Sequence, residues 1–174
     1  IDISDYDKRK IDSIIKKAKK IKKNPYIFRD KCKNKTLGMI FQKESTRTRV
    51  SFSVGFQKLG GYSLELNADK IGFGKRESYE DIIKTLSQFV NILMIRNDDH
   101  DIVRLLASLN VLPIINGLSN FSHPCQILSD LLTINEKIGN IENKQIAWIG
   151  DYNNVLRSLI ELQNLYKFEL SVIL

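Results

Sequence analysis

Cysteine and histidine are scarce in this chain of 174 residues, which contains two of each. Cys32 and Cys125 lie far apart, and neither belongs to a Cys-x-x-Cys pair. A disulfide framework and a structural zinc site both need a defined set of paired or closely spaced ligands, so neither is expected. A reducing cytoplasm is therefore the expected location.

Long apolar runs are also missing. No stretch approaches the ~20 residues that a helix needs to span a bilayer, so no membrane partner is expected. The acidic start, Ile1 to Asp5, lacks the basic and then apolar order of a secretory signal. The absence of an initiator Met suggests that the sequence begins inside a longer gene product. With 43% hydrophobic and 27% charged residues, the composition is that of an ordinary globular domain, or of one domain plus a fragment.

Basic residues outnumber acidic ones by 27 to 20, which gives a net charge of +7. Many of them crowd into residues 8–23, where apolar residues recur at helical spacing. This pattern predicts an amphipathic helix that ends near Asn24 and Pro25, with lysines on its solvated face. Nucleic-acid contact is the alternative interpretation of such a face. Because no aromatic or Arg/Gly residues are interleaved with the lysines, no nucleic-acid partner is expected.

The rest of the chain alternates between short apolar segments and helical patterns. The predicted strands are 37–41, 62–66, 92–96, 111–116, 145–150 and 169–174. Residues 50–56 fit either a strand or a helix, and the preceding strand together with Gly60-Gly61 favours a helix. Such alternation predicts an α/β fold in which a parallel sheet is flanked by helices. The polar stretch 135–144 is the best candidate for a boundary, which divides the chain into residues 1–138 and 139–174.

The loop after the first predicted strand combines hydroxyl and guanidinium groups with the start of a helix. It reads Ser-Thr-Arg-Thr-Arg at 45–49. Free N–H groups at a helix start, hydroxyls and charge-assisted arginine forks together form a cradle for a phosphate. The alternative is that Ser45 or Thr46 only caps the helix and that both arginines are solvated.

Further polar residues follow later strands, where parallel sheets bind ligands. Arg96 ends one apolar strand, and His123 and Gln126 flank Pro124 at a helix entrance. Each of these has a plain structural alternative: a strand terminus, a satisfied histidine or a turn residue. The loop 150–154 also carries amide side chains, although such residues are common in turns.

The ordered set of motifs resembles the aspartate/ornithine carbamoyltransferase family, and within it the ornithine branch. The motifs are Ser-Thr-Arg-Thr-Arg-Val-Ser-Phe at 45–52, Met-Ile-Arg at 94–96, His-Pro-Cys-Gln at 123–126 and Trp-Ile-Gly-Asp-Tyr-Asn-Asn-Val at 148–155. The resemblance covers essentially the whole chain. It implies a carbamoyl-phosphate-binding domain at 1–138, the start of an ornithine-binding domain at 139–174, and carbamoyl transfer from carbamoyl phosphate to L-ornithine without a metal or an organic cofactor.

The resemblance also implies roles for individual residues. Ser45, Thr46, Arg47 and Thr48 are similar to the phosphate-binding loop, and Arg96, His123 and Gln126 to the groups around the carbamoyl moiety. Thr48, Arg96 and His123 are the expected catalytic groups, because they can stabilise negative charge on the carbamoyl oxygen. Asn154 is the expected contact to ornithine. Cys125 is expected to be a bystander rather than a nucleophile. A homotrimer with sites between subunits is implied as well.

Several features depart from the family pattern. Glu44 places a carboxylate where a proline is usual, Gly72 offers no side chain in the loop that reaches a neighbouring subunit, and Tyr152 replaces a glycine. The second domain shows only strand, helix and strand before Leu174, so it is expected to be truncated, to expose apolar surface and to leave the chain inactive alone. The alternatives are an inactive or repurposed relative that binds an anion or a partner protein, or an aspartate-type enzyme, which Lys75 favours.

Overall fold

The computed structural model describes residues 1–174 and contains six helices, six strands and two short 3-10 helices. The helices are α1 (Lys8–Lys23), α2 (Thr46–Lys58), α3 (Tyr79–Leu86), α4 (His100–Ser108), α5 (Pro124–Lys137) and α6 (Asn154–Leu165). The strands are β1 (Thr36–Phe41), β2 (Tyr62–Asn67), β3 (Ile92–Arg96), β4 (Ile114–Leu118), β5 (Gln145–Ile149) and β6 (Glu169–Ile173). None of the helices combines the length and the apolar character needed to cross a membrane.

The strands form two separate parallel sheets. The first has the order β2-β1-β3-β4, and the second consists of β5 and β6. The central strands β1 and β3 are almost continuously apolar and buried, as expected for a parallel sheet that is covered on both faces. The first sheet lies within residues 1–138 and the second within residues 139–174.

Three apolar clusters hold these elements together. The first cluster packs α3 and α4 against one face of the first sheet, through residues such as Ile83 and Leu106. The third cluster lies on the other face, where Met39 and Met94 pack against Phe52 and Phe56 of α2. The second cluster joins α1, α5 and α6 with the second sheet, so apolar packing crosses the predicted boundary near residue 138. Its buried members are Ile3, Ile11, Ile15, Ile127, Leu131, Ile141, Leu159, Leu162, Tyr166 and Phe168.

Most of the predicted elements agree with the structure to within a few residues. The helix over 50–56 is confirmed, and α1 ends at Lys23 as the sequence indicates. The strand predicted at 111–116 is shifted, since β4 begins only at Ile114. Asn110 adopts a positive φ of 53°, and Pro113 has no N–H to give to a neighbouring strand, so the chain enters the sheet after them.

The second sheet leaves apolar side chains uncovered, as expected for a strand–helix–strand unit. Ile149, Val172 and Ile173 are exposed, as is Leu174. Helix α6 covers only one face of this sheet, through contacts of Leu159 and Leu162 within the second cluster. Ile149 and Ile173, which pair in the strand register, are therefore left exposed on the other face.

Candidate active site

The carboxyl ends of three strands of the first sheet lie side by side. In the strand register, Phe41 of β1 pairs with Arg96 of β3, which pairs with Leu118 of β4. The loops that follow these strands are joined directly, because the Asp98 N–H donates to Gln42 Oε1 at 3.0 Å and the Asn120 N–H donates to the Asp98 carbonyl at 3.0 Å. The topology therefore brings the loops before α2, α4 and α5 to one edge of the sheet.

Helix α2 begins at this edge with a capped but incompletely satisfied first turn. Ser45 is the N-cap, and its Oγ accepts a hydrogen bond of 3.3 Å from the Thr48 N–H. The Arg49 N–H donates to the Ser45 carbonyl at 3.2 Å. The N–H groups of Thr46 and Arg47 have no partner inside the helix, and the Thr46 side chain is exposed. The helix start thus offers N–H donors and partial positive charge to an anion.

Arg96 links the end of β3 to this helix start. Its Nη1 donates to Ser45 Oγ at 3.3 Å and to Thr48 Oγ1 at 3.2 Å. Its Nε is buried and has no protein partner. Three predicted site residues, from the end of β3 and the start of α2, therefore meet through one guanidinium, whose Nε has no protein acceptor.

His123 lies beside this group, at the N-cap of α5. Burial, together with the positive charge of Arg96, lowers the pKa of His123 to about 4. The imidazole is therefore neutral at physiological pH, and its Nδ1 is buried without a protein partner. A neutral imidazole carries one N–H that can donate to a ligand oxygen.

The two arginines of the 45–49 loop point to different places. Arg47 lines the cleft together with Thr48, His123 and Gln126. Arg49 instead forms an ion pair of 3.0 Å with Glu65 on β2 and lies over the Phe41 ring, 5.2 Å from its centroid. Of these two arginines, only Arg47 lines the cleft, and the prediction of two guanidinium groups around the helix start was wrong for Arg49.

Gln126 and Cys125 occupy the first turn of α5 and line the same cleft. Gln126 Nε2 donates to Asp130 Oδ1 at 2.9 Å, and its carbonyl oxygen remains free to accept a hydrogen bond. Burial raises the pKa of the Cys125 thiol to about 11, so the thiol is protonated at neutral pH. Its Sγ donates to the Asn116 carbonyl at 3.4 Å. This environment gives Cys125 little thiolate character.

The cleft itself has a volume of about 430 Å³ and runs between α2 and α5. Its lining combines the polar residues Arg47, Thr48 and His123 with apolar side chains such as Phe52 and Ile115. Concave sites with a few convergent polar groups on an apolar floor are typical of small-molecule binding. No group of three or more His, Cys, Asp or Glu side chains is arranged to hold a metal ion.

Asn154, the predicted contact to an amino-acid substrate, starts helix α6 and is half-buried. Its Nδ2 donates a hydrogen bond of 2.6 Å to the Ser119 carbonyl in the loop between β4 and α5. The neighbouring Asn153 caps α6 through bonds to two backbone N–H groups. In this structure, the Asn154 amide nitrogen therefore joins the second sheet's helix to the loop that carries His123.

The sequence analysis missed Ser158, which also contacts that loop. Ser158 is fully buried in α6, and its Oγ accepts a hydrogen bond of 2.9 Å from the His123 N–H. A polar residue between Leu156 and Leu159 in the apolar stripe of a helix was the available signal. Buried hydroxyls need partners, but the sequence does not show which group Ser158 contacts.

Most of the chain is similar to known proteins. Residues 1–136 match the family model described as aspartate/ornithine carbamoyltransferase, carbamoyl-P binding domain. The ornithine carbamoyltransferase of Archaeoglobus fulgidus is 42% identical over 162 residues, which cover 92% of this chain and 53% of that protein. The Methanobrevibacter smithii ornithine carbamoyltransferase is 48% identical over 138 residues, 79% of this chain and 46% of that protein.

Solved structures give the same result. The Pyrococcus furiosus ornithine carbamoyltransferase superimposes with a TM-score of 0.93 at 42% identity, covering 98% of this chain and 55% of that one. The Thermus thermophilus ornithine carbamoyltransferase gives a TM-score of 0.92 at 36% identity, covering 98% of this chain and 59% of that one. The chain thus spans about half the length of these relatives. On both its sequence and its fold, the chain belongs to the aspartate/ornithine carbamoyltransferase family, and residues 1–136 match that family's carbamoyl-P binding domain.

Proposed function

We propose that this chain binds carbamoyl phosphate and contributes to carbamoyl transfer to the side-chain amine of L-ornithine, giving L-citrulline and phosphate. The observation that carries the proposal is the contact of Arg96 with both Ser45 and Thr48, beside a neutral His123. These groups come from three separate parts of the sequence. Their convergence around the start of α2 is what a small anionic substrate requires.

The phosphate is assigned to the start of α2. The N–H groups of Thr46 and Arg47 and the hydroxyls of Ser45 and Thr48 surround this point. Arg47 is the one arginine of the loop that lines the cleft, and its guanidinium can form a bidentate contact with two phosphate oxygens. The same contact gains strength as the phosphate departs with more negative charge.

The carbamoyl group is assigned to the space between Arg96, His123 and Gln126. Attack of a neutral amine forms a C–N bond and places negative charge on the carbamoyl oxygen, where Thr48, Arg96 and His123 donate hydrogen bonds. The C–O bond to phosphate then breaks, and the proton released by the amine leaves with the phosphate. Loss of one such donor typically slows catalysis by ~10²–10³-fold. No resident metal or organic cofactor takes part in this scheme.

The amino-acid substrate is assigned to the second sheet. The relatives above are named ornithine carbamoyltransferases, and Asn154 at the start of α6 lies at the same edge as the phosphate site, next to Ser119. In this proposal, residues 1–138 form the carbamoyl-phosphate-binding domain and residues 139–174 begin the ornithine-binding domain. The reaction belongs to arginine and citrulline metabolism in the cytoplasm.

A homotrimer with sites between subunits is part of the proposal. It is supported by the apolar residues that α2 and β2 leave exposed, among them Val50, Val54 and Leu64. Light scattering after gel filtration would give about three times the chain mass of 20.1 kDa for a trimer. A single mass of 20.1 kDa would argue against this assembly for the chain.

The binding proposal is tested by calorimetric titration with carbamoyl phosphate. Arg47→Gln and Arg49→Gln remove the same charge from the same helix, but only Arg47 lines the cleft. We expect Arg47→Gln to weaken binding at least tenfold and Arg49→Gln to leave the affinity within about twofold of the parent, since a charge-assisted bond contributes ~1.5–3 kcal/mol. Equal effects of the two substitutions would contradict the assignment of Arg47.

The reaction is tested by offering ornithine and aspartate in parallel and identifying the carbamoylated product. Citrulline would support the ornithine assignment, whereas carbamoyl-aspartate would favour the aspartate branch. A folded chain that binds neither carbamoyl phosphate nor phosphate would instead favour a repurposed relative. Exposed Glu44, next to Ser45, is the residue whose charge would then be the first to examine.

A further inference from the structure

The loop of residues 119–123, between β4 and α5, is held by helix α6 at both of its ends. Asn154 Nδ2 donates to the Ser119 carbonyl at 2.6 Å, and Ser158 Oγ accepts from the His123 N–H at 2.9 Å. The loop is short and His123 is its last residue. Its position therefore depends on a helix that belongs to the second sheet.

Ser158 satisfies a backbone group that helix α5 cannot satisfy itself. His123 is the N-cap of α5, with φ −135° and ψ 66°, and no side chain caps this helix. The N–H of His123 points away from α5 to Ser158, whose Oγ also lies 3.4 Å from Ser122 Oγ. Ser122 and Ser158 are both completely buried, so water does not replace these contacts.

The imidazole of His123 has no comparable anchor of its own. Its Nδ1 is buried without a protein partner, so no protein hydrogen bond at that atom fixes the ring. The direction of the ring is then determined by the placement of its backbone and by packing. A hydrogen bond to the backbone N–H, from a residue that is itself immobilised in a core, controls that placement most directly.

We propose that Ser158 is a positioning residue for His123, which it holds through the backbone N–H rather than through the ring. The proposal rests on the function proposed above, because it matters for carbamoyl phosphate only if His123 contacts that ligand. It also gives helix α6, which lies in residues 139–174, a role in the part of the site that lies in residues 1–138. A displacement of about 1 Å at a reacting group can cost ~10²-fold in rate, so a single anchor of this kind is significant.

The test combines substitution of Ser158 with NMR of the two histidine side chains in the full chain. Ser158→Ala keeps nearly the same volume and removes the acceptor. Ile83→Val, in the first cluster on α3, is the control, since it removes one buried methyl group far from the loop. Ser158→Thr restores a hydroxyl at the same position. Because the chain has only His100 and His123, the imidazole signals can be assigned directly.

In the absence of ligand, we expect Ser158→Ala to displace the His123 ring signals and raise their pH midpoint from about 4, while Ile83→Val leaves both unchanged. We expect carbamoyl phosphate affinity to fall about tenfold in Ser158→Ala only. Ser158→Thr should return the His123 signals toward the parent. Unchanged His123 signals in Ser158→Ala would overturn the proposal.

Two further results keep the outcomes separate. If Ser158→Ala does not fold, hydrogen exchange of the His123 amide in the parent chain decides the matter: slow exchange supports the anchor and exchange at the rate of an open loop overturns it. If the parent chain does not bind carbamoyl phosphate, the proposed function fails. The ligand-free NMR comparison still reports whether Ser158 positions His123.

Discussion

The Arg96 guanidinium at the end of β3 donates a hydrogen bond of 3.2 Å to the Thr48 hydroxyl in the first turn of α2. The two residues belong to parts of the chain with very different packing. Strand β3 is buried at the centre of the sheet, whereas no residue of α2 is fully buried. The contact therefore ties the less buried helix start to a buried central strand.

The shape of the Arg96 side chain should matter as much as its charge. Arg96→Lys keeps the positive charge, but one ammonium group on a flexible stem cannot reproduce a planar fork with an unused Nε. We expect carbamoyl phosphate to bind at least tenfold more weakly to this variant in calorimetric titration. An affinity within about twofold of the parent would show that charge alone suffices at this position.

Ser45 combines a structural role with a role in the site, and the two can be separated. Ser45→Ala removes a helix cap, a partner of Arg96 and a proposed ligand contact, so both stability and affinity should fall. Ser78→Ala removes the corresponding cap of α3, where Ser78 Oγ accepts from the Asp81 N–H at 3.1 Å, away from the cleft. Each substitution should cost ~0.5–2 kcal/mol in urea unfolding. Only Ser45→Ala should also weaken carbamoyl phosphate binding, and equal affinities in the two variants would contradict its role in the site.

The low pKa of His123 should appear in the pH dependence of stability. The unfolded chain binds a proton on this ring near pH 6.5, whereas the folded chain does so only near pH 4. Between these values the unfolded state binds more protons, so the free energy of unfolding falls as pH is lowered from 6.5 to 4. We expect roughly 1–2 kcal/mol from this residue, because water screens the partly exposed ring and reduces the effect of the shift.

The comparison that isolates this contribution uses His123→Asn. Urea unfolding at several pH values between 4 and 7.5 would be measured for the parent and the variant. The variant should lose less stability than the parent over the acidic part of the range. Parallel curves would show that His123 titrates normally in the folded chain.

Cys125 should be dispensable for binding and slow to react. Its thiol is protonated at neutral pH, because burial raises its pKa to about 11, and thiol reagents attack the thiolate. We expect alkylation of Cys125 at pH 7.5 to be at least tenfold slower than that of a free cysteine peptide, followed by mass spectrometry. Cys125→Ala should retain carbamoyl phosphate affinity within about threefold, and loss of binding would contradict the bystander role.

Local patterns predicted most of the fold because burial in a parallel sheet leaves a strong signal. The run at β3 is apolar on both faces, and its bounds, Ile92–Arg96, agree with the prediction. The start of β4 was misplaced because Val111 and Leu112 are apolar although they precede Pro113 and lie outside the strand. Their burial comes from packing near α4 rather than from pairing in the sheet.

The sequence indicated residues of the candidate site, but not the directions in which their side chains point. The motif at 45–49 contains two arginines, and only the tertiary position of Glu65 on β2 turns Arg49 away from the cleft. The role of Ser158 depends on a contact with His123 from a distant part of the chain. Neither direction follows from spacing along the sequence, because both depend on how separate elements pack.

The second cluster affects when helix α1 can complete its packing during synthesis. Helix α1 emerges early from the ribosome, but Ile11 and Ile15 pack in a cluster with Leu159 and Leu162, which are translated only after the whole first sheet. Until then, the apolar stripe of α1 is covered only in part, by residues such as Ile127 and Leu131 of α5, and the remainder is free to associate with other chains. The lysines on the opposite face of α1 repel other copies of the chain. The most basic segment is therefore also the segment that must remain soluble for the longest time during synthesis.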